Sequence, residues 1–281
     1  MRFSEKLCLQ TNKLFKKPVH PFNLNNDHRK TYAEWQFEKG HDTIKNYTAV
    51  TTTDAMFKDK NVLDIGCGAG GKTVFYASLG AKHTTGLEIL EKYRDEAESL
   101  AREKGYGDRF TFVQGDAADM PFDDNSFDTI IMNDAMEHVD DPLATLNECY
   151  RVLAEDGKLY VNFPPYYHPY GAHLSDAIGF PWVHMFFSEK TLINVYKELV
   201  KDLPDGKDRI EFRISKDDHG EEYFSYINHM TIARFHKILP RTKFKVRYYR
   251  EIPLRTVVVP LAKLPLFKEA FVKMVVVILE K

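Results

Sequence analysis

Residues Val62 to Thr73, VLDIGCGAGGKT, constrain this chain more than any other stretch. The apolar run Val62–Ile65 is too short for a helix and reads as a buried strand. It breaks into a turn carrying Gly66, Gly68, Gly70 and Gly71, after which a helix is expected to begin near Gly70. Glycine permits positive φ and lets a ligand approach bare backbone. A helix start is expected to direct free N–H groups at that ligand. The spacing Gly66-x-Gly68-x-x-Gly71, with Glu88 roughly 20 residues on, also satisfies the dinucleotide fingerprint. Taken alone, the turn names a nucleotide-type ligand and leaves its identity open.

The flanking sequence supplies a frame for that turn. Further strands are expected at Lys82–Leu87 (ending in Glu88), Phe110–Gln114, Phe127–Met132 and Lys158–Phe163. Helices are expected between them, from the turn to Leu79, from Leu90 to Lys104, and from Pro142 through Leu153. Strands alternating with helices imply a parallel sheet with right-handed crossovers. Ahead of the turn, residues 1–30 read as an extended arm. Residues 31–57 read as helical, with Gly40 as a break, and either pack on the core or form a lid. After strand five, residues 164–187 are rich in aromatics, proline and histidine and read as an insertion. A helix capped by Ser188 is expected to run to Val200. Residues 201–220 read as a charged loop, and another helix is expected from Glu221 or Tyr223 to Leu239. Lys243–Arg250 and Phe271–Leu279 read as strands. The expected organisation is an arm and helical lid over 1–58, a cofactor-binding core over 59–163, an acceptor cap over 164–240, and sheet-completing strands over 241–281.

Composition narrows the class. Net charge is −2, without the basic excess that marks nucleic-acid binders, so no nucleic-acid partner is expected. Cys8, Cys67 and Cys149 are widely spaced with no C-x-x-C, which points to a reducing compartment. A metal site on His168, His173 and His184 is weighed, but their spacings match no strong pattern and no metal is expected. Cys67 reads as a small residue filling the turn. No apolar stretch approaches the ~18 residues of a membrane span. The first residues lack a signal-peptide core. A cytoplasmic protein is expected; the oligomeric state is left open.

The residues around the turn decide between ligands. VLDIGCGAGG resembles the first motif of the class I S-adenosylmethionine-dependent methyltransferases, whose mark is an acid two residues before the first glycine, here Asp64. A carboxylate there would repel a pyrophosphate but suits a net cationic sulfonium. The resemblance continues through five motifs over residues 60–163 and is closest to the small-molecule, methyltransferase type 11-like branch. It implies a Rossmann-like sandwich with a mostly parallel seven-stranded sheet, helices on both faces, an N-terminal helical segment and an insertion after strand five. It implies S-adenosylmethionine as cofactor and S-adenosylhomocysteine as product. Asp64, Gly66, Gly68 and Gly70 would form the turn, and Glu88 and Ile89 (in GLEI) the ribose end. Asp116 and Ala117 (in VQGDAADMPF) would meet the adenine, and Asn133 (in NDAMEH) would lie near the methionine moiety. The strand-five entry has Asp156-Gly157 where the family usually has Pro-Gly. Asn162-Phe163-Pro164-Pro165-Tyr166 resembles the motif of amino-group methyltransferases, but follows strand five instead of strand four and carries an extra residue.

Ligands of parallel sheets lie beyond the carboxyl ends of the strands. The acceptor is therefore expected near Asn133–His138 and the insertion. His138, His168, His173 and His184 are candidate bases, since histidine titrates near neutrality. Tyr166, Tyr167, Tyr170 and Trp182 are candidates to line an apolar or aromatic acceptor site. The expected reaction is methyl transfer to a small organic molecule, oxygen first, nitrogen or carbon second. An NAD(P)-dependent oxidoreductase and a non-catalytic cofactor-binding protein are the readings from other classes.

Overall fold

The computed structural model describes residues 1–18, 20, 23, 30–255, 259–264 and 267–281. The chain divides into two compact units. The larger comprises Leu24–Phe163, Ile232–Ile252 and Met274–Lys281; the smaller comprises Met1–Asn23, Pro164–Thr231 and Pro253–Lys273.

The strands are β1 (Asn61–Ile65), β2 (His83–Glu88), β3 (Phe110–Gln114), β4 (Phe127–Asn133), β5 (Leu153–Phe163), β6 (Ile214–Lys216), β7 (Glu222–Phe224), β8 (Lys245–Pro253) and β9 (Val272–Glu280). Seven of them form one sheet in the order β3-β2-β1-β4-β5-β9-β8. The pairs β1–β2, β2–β3, β1–β4 and β4–β5 are parallel, and β5–β9 is antiparallel. Strand order therefore reverses between β1 and β4. At such a point the connecting helices depart to opposite faces and open a crevice beyond the strand ends. The apolar runs of β1 and β4 are buried almost throughout, as strands covered on both faces require. In β9, Val275, Val276, Val277, Ile278 and Leu279 are all buried, so the MVVVIL run is a core strand. Each such side chain contributes roughly 1.5–3 kcal/mol by leaving water.

Local signals explain the helices that hold the sheet. Asp141 accepts from Leu143 N and Ala144 N at 2.9 and 3.0 Å, and Pro142 occupies the first turn of the helix Pro142–Val152. Ser188 caps the helix Glu189–Val200, as its position before an apolar-periodic run predicts. Thr31 and Glu34 form a capping box at the start of the helix Tyr32–Ile44. Gly40 does not break that helix. A Cβ there would stand 2.3 Å from the Phe75 ring, so the glycine is a packing necessity.

Three other expectations are corrected. Residues Phe3–Asn12 are helical, not extended. Their inner face, Glu5, Cys8 and Asn12, is buried, and Asn194 Nδ2 donates to Glu5 Oε1 at 2.8 Å. That tertiary partner has no local sequence signal. Within 201–220 there is a helix, Gly206–Arg213, followed by β6. The helix expected from residue 221 or 223 is instead the hairpin strand β7, and helix returns only at Ile232–Ile238.

The smaller unit is tied together by polar groups. Asp176, with no side-chain exposure, accepts from Arg209 Nη1 at 3.1 Å, Arg213 Nη2 at 3.1 Å and Tyr196 Oη at 2.8 Å. Asn12 Oδ1 accepts from Gly179 N at 2.8 Å while its Nδ2 donates to Ala177 O at 3.3 Å. Asn23 bridges Arg209 and the carbonyl of Asp176. Residues of the amino-terminal stretch thereby belong structurally with the insertion.

Candidate active site

The glycine turn leaves β1 with left-handed backbone at Gly66, Gly68 and Gly70 (φ +69°, +55° and +74°). At Gly70 a Cβ would also come within 2.6 Å of Ala97 Cβ, so both conformation and space select glycine. Just before the turn, Asp64 is 2% exposed and accepts from Thr73 Oγ1 at 2.6 Å. Burial pushes its carboxyl up to about 6, against the pull of Thr73 and Lys72. Asp64 thus acts on the turn from within. Cys67 fills the inside of the turn: its Sγ sits where a Cβ on Gly86 would be, 2.6 Å away.

Five of the turn's N–H groups already have acceptors within the protein. Gly66 N and Cys67 N donate to Leu87 O at 2.8 and 3.2 Å, and Gly70 N donates to Cys67 O at 3.0 Å. Gly68 N donates to Glu88 Oε2 at 3.0 Å, and Gly71 N to Gln36 Oε1 at 3.2 Å. Four of these bonds tie the loop to β2 and to the helix Tyr32–Ile44, and one closes within the loop.

Two residues of the helical segment read as either core packing or a lid roof the turn. Gln36, 3% exposed, also donates from Nε2 to Cys67 O at 3.3 Å. Tyr32 lies over Gly68, where a Cβ would meet Tyr32 Cε1 at 3.3 Å and Gln36 Nε2 at 3.2 Å. Tyr32 is flanked by Trp35 and Tyr93, with ring centroids 6.2 and 6.0 Å away. The helix Tyr32–Ile44 therefore packs directly on the turn.

Glu88 ends β2, half-buried, and its second oxygen accepts from Leu90 N at 3.1 Å. Burial raises its pKa, opposed by those backbone donors. Ile89 beside it is exposed. After β3, Asp116 is exposed and accepts from Ala118 N at 2.8 Å, while Ala117 is buried.

At the carboxyl ends of β4 and β5 lies a buried amide–phenol network. Tyr47 Oη donates to Asn133 Oδ1 at 2.7 Å, Asn133 Nδ2 donates to Tyr76 Oη at 3.2 Å, and Asn162 Nδ2 donates to Tyr47 Oη at 3.1 Å. Asn162 Oδ1 accepts from Asp134 N at 3.2 Å. The Asn133 side chain is committed to this strut, and so is that of Asn162, which explains why the Asn-Phe-Pro-Pro-Tyr string does not display its asparagine. Asp134 takes a left-handed backbone, φ +52°, and pairs with Lys72 Nζ at 3.7 Å. Glu137, missed from sequence, is buried. Burial first, and then the Asp134 charge, hold its carboxyl well above the usual range. Exposed His138 stands 4.0 Å from it.

The acceptor candidates of the insertion fall in the smaller unit. His184 packs against Tyr166 and Tyr167 (4.9 and 6.4 Å between centroids), and Tyr166 packs on His229 at 4.4 Å. His229 was hidden in sequence inside an expected helix. His168 Nδ1 accepts from Tyr170 N at 3.3 Å. Burial drives both His168 and His184 down to about 4, so both are neutral at pH 7. His173, Trp182 and His229 have left-handed φ of +51°, +57° and +55°, conformations that non-glycine residues hold only when their surroundings impose them. Trp182 packs on Phe271 at 5.9 Å and donates from Nε1 to Ala270 O at 3.3 Å, apart from the Tyr166 cluster. Tyr170 Oη reaches Gly179 O at 3.5 Å.

The donor set tests which cofactor fits. Glu88 and Asp134 flank the turn, Asp134 beside Lys72, while Asp64 is buried behind it. A ligand with a ribose diol finds an acceptor in Glu88.

Known proteins agree. Residues 63–161 match the family model described as a methyltransferase domain. The chain is 31% identical over 113 residues to a probable chloroplastic tocopherol O-methyltransferase of Oryza sativa subsp. japonica, covering 40% of this chain and 31% of that protein. It is 40% identical over 96 residues to the sterol 24-C-methyltransferase ERG6B of Gibberella zeae (34% and 25% covered). It is 32% identical over 108 residues to norajmaline N-methyltransferase of Rauvolfia serpentina (38% and 37%). The chain thus spans between a quarter and two-fifths of the curated relatives it matches. Among solved structures, a putative sarcosine dimethylglycine methyltransferase from Galdieria sulphuraria aligns with a TM-score of 0.54 at 17% identity, covering 86% of this chain and 84% of that one. The [4+2]-cyclase SpnF aligns with a TM-score of 0.51 at 14% identity (89% and 81%). These two likenesses concern the fold.

Proposed function

We propose that this chain, a class I S-adenosylmethionine-dependent methyltransferase by its domain at residues 63–161 and by its fold, methylates a small organic acceptor, at oxygen in preference to nitrogen or carbon. The observation that carries the cofactor assignment is the pair of acids about the glycine turn, Asp64 behind it and Glu88 at the end of β2, within the domain matched at residues 63–161. Glu88 would accept from the ribose hydroxyls, Asp116 and Ala117 would meet the adenine with Ile89 alongside, and Gly66, Gly68 and Gly70 would let the methionine end approach the backbone. Asp64 holds the turn through Thr73, and Asn133 braces the end of β4 through Tyr47 and Tyr76, so both shape the site from behind it.

When bound, the cofactor supplies an electrophilic methyl group; the protein's task is alignment and proton handling. The aromatic Tyr166, Tyr167, His184 and His229 cluster supports an acceptor with an apolar or aromatic body. His168 and His184, neutral at pH 7, suit accepting a hydrogen bond from an acceptor hydroxyl. His138 and His173 remain candidates for the same role, and Tyr170 and Trp182 for packing against the acceptor. The O-, C- and N-methyltransferases among the relatives leave the atom to this chemistry, and a hydroxyl is the acceptor that most needs a neutral base. A small-molecule substrate, no nucleic-acid partner and a cytoplasmic location complete the reading. Among the described residues no helix is long and apolar enough to cross a membrane.

The test is a pair of measurements. S-adenosylhomocysteine should raise the melting temperature and NADH should not. With methyl-labelled cofactor, label should pass into an acceptor from a panel of phenols, hydroxylated terpenoids and amines. Stabilisation by NADH alone would overturn the cofactor assignment. Label transfer confined to amines would overturn the oxygen preference.

A further inference from the structure

The smaller unit carries an apolar ridge that its own core does not cover. The helix Phe3–Asn12 buries Glu5, Cys8 and Asn12 on one face and turns Phe3, Leu7 and, two residues past its end, Leu14 outward. Phe3 and Leu14 are 81% and 82% exposed, about as open as a side chain can be. The ridge continues: Phe15 stacks on Phe180 at 5.0 Å, and Phe180 stacks on Phe186, itself 67% exposed, at 5.7 Å. Exposed leucines scattered singly need no explanation, but aligned large apolar side chains do.

Charge indicates what covers the ridge. Arg2, Lys6, Lys13, Lys16 and Lys17 are all exposed along it. The single acid of residues 1–18, Glu5, faces inward and is occupied by Arg2 N and Asn194 Nδ2. This concentration of positive charge is local, for the chain as a whole has a net charge of −2. Aromatic and leucine side chains projecting from a helix, flanked by long basic side chains, are the chemistry of a helix lying in the headgroup region of an anionic bilayer. We propose that the ridge of residues 1–17 with Phe186 docks this protein onto anionic phospholipid surfaces, in the plane of the interface and without spanning it. The proposal stands apart from the methyl-transfer reading, since none of these residues belongs to the cofactor or acceptor candidates.

The test is co-sedimentation of the full chain with vesicles of phosphatidylcholine alone and of phosphatidylcholine mixed with phosphatidylglycerol, at low and at physiological salt. Binding is expected to the mixed vesicles and to weaken with salt. Lys13→Gln, Lys16→Gln and Lys17→Gln should each reduce affinity roughly five-fold. The double variant Phe3→Ser, Leu14→Ser alters two side chains that touch little of the fold. It should keep the wild-type circular dichroism and melting temperature yet lose binding by at least about ten-fold. Absence of binding to mixed vesicles at low salt would overturn the proposal. So would undiminished binding by the double variant. Analytical ultracentrifugation showing a wild-type dimer that the double variant abolishes, with no vesicle binding by either, would assign the ridge to a second copy of the chain and overturn it equally.

Discussion

Replacing Glu88 is the sharpest probe of the cofactor site. In the structure its two oxygens accept from Gly68 N and Leu90 N at 3.0 and 3.1 Å, and the assignment adds two ribose hydroxyls as donors. A hydrogen bond to a charged partner contributes roughly 1.5–3 kcal/mol and one between neutral groups roughly 0.5–1.5. Glu88→Gln keeps the shape, removes the charge, and presents an amide NH2 to one of the two backbone donors. Weakening both ribose bonds by about 1 kcal/mol each predicts a loss near 2 kcal/mol, or about 30-fold in Kd. Glu88→Ala removes both acceptors and should cost about 3–6 kcal/mol, well over 100-fold. The assay is calorimetric titration with S-adenosylhomocysteine, repeated with an analogue lacking the ribose hydroxyls. Wild type should lose affinity for the analogue, whereas Glu88→Ala should bind both ligands alike. If Glu88→Ala, still folded, binds S-adenosylhomocysteine within about three-fold of wild type, the ribose assignment is refuted. If it still distinguishes the two ligands as sharply as wild type does, some other residue holds the hydroxyls.

Two further expectations concern the smaller unit. Asp176→Ala leaves Arg209 and Arg213 buried without their shared carboxylate, which should destabilise the protein by about 3–5 kcal/mol in urea unfolding; a loss under about 1 kcal/mol would mean the guanidinium groups reach water. His20, His168 and His184 are each held near 4 by burial, against an ordinary 6.5. Between those values the unfolded chain binds protons that the folded chain does not. Stability should therefore be intact above about 6.5 and fall as pH drops toward 4. The slope is at most about 1.4 kcal/mol per pH unit for each histidine, reduced by their partial exposure. Asp64 runs the other way: its raised pKa makes its contribution most favourable below the ordinary 3.8 and lost above about 6. Unfolding free energies that rise on acidification through that window would contradict the histidine assignment.

The glycine turn shows where sequence suffices and where it does not. The position of β1 and the left-handed glycines were legible, because φ restrictions and strand periodicity act between neighbours in sequence, and the acids at 64 and 88 were picked out by their resemblance to the family's motifs. So were the cap at Ser188 and the first-turn Pro142, for the same reason. Whether the turn's N–H groups faced a ligand was not legible. That depended on Leu87, Glu88 and Gln36 arriving from other elements to accept them. The same holds for Gly40, read as a helix break and required instead by the Phe75 ring, and for the helix Phe3–Asn12, whose inner face is defined by Glu189–Val200. It holds again for His229, which meets Tyr166 only because the chain returns from β7. Composition and local pattern determined the mostly parallel sheet and a nucleotide-type turn, and the resemblance of the motifs at Asp64, Glu88, Asp116 and Asn133 narrowed the cofactor. The tertiary structure alone decided which polar groups remain available, since a hydrogen bond or an ion pair is settled only when partners distant in sequence are brought within reach.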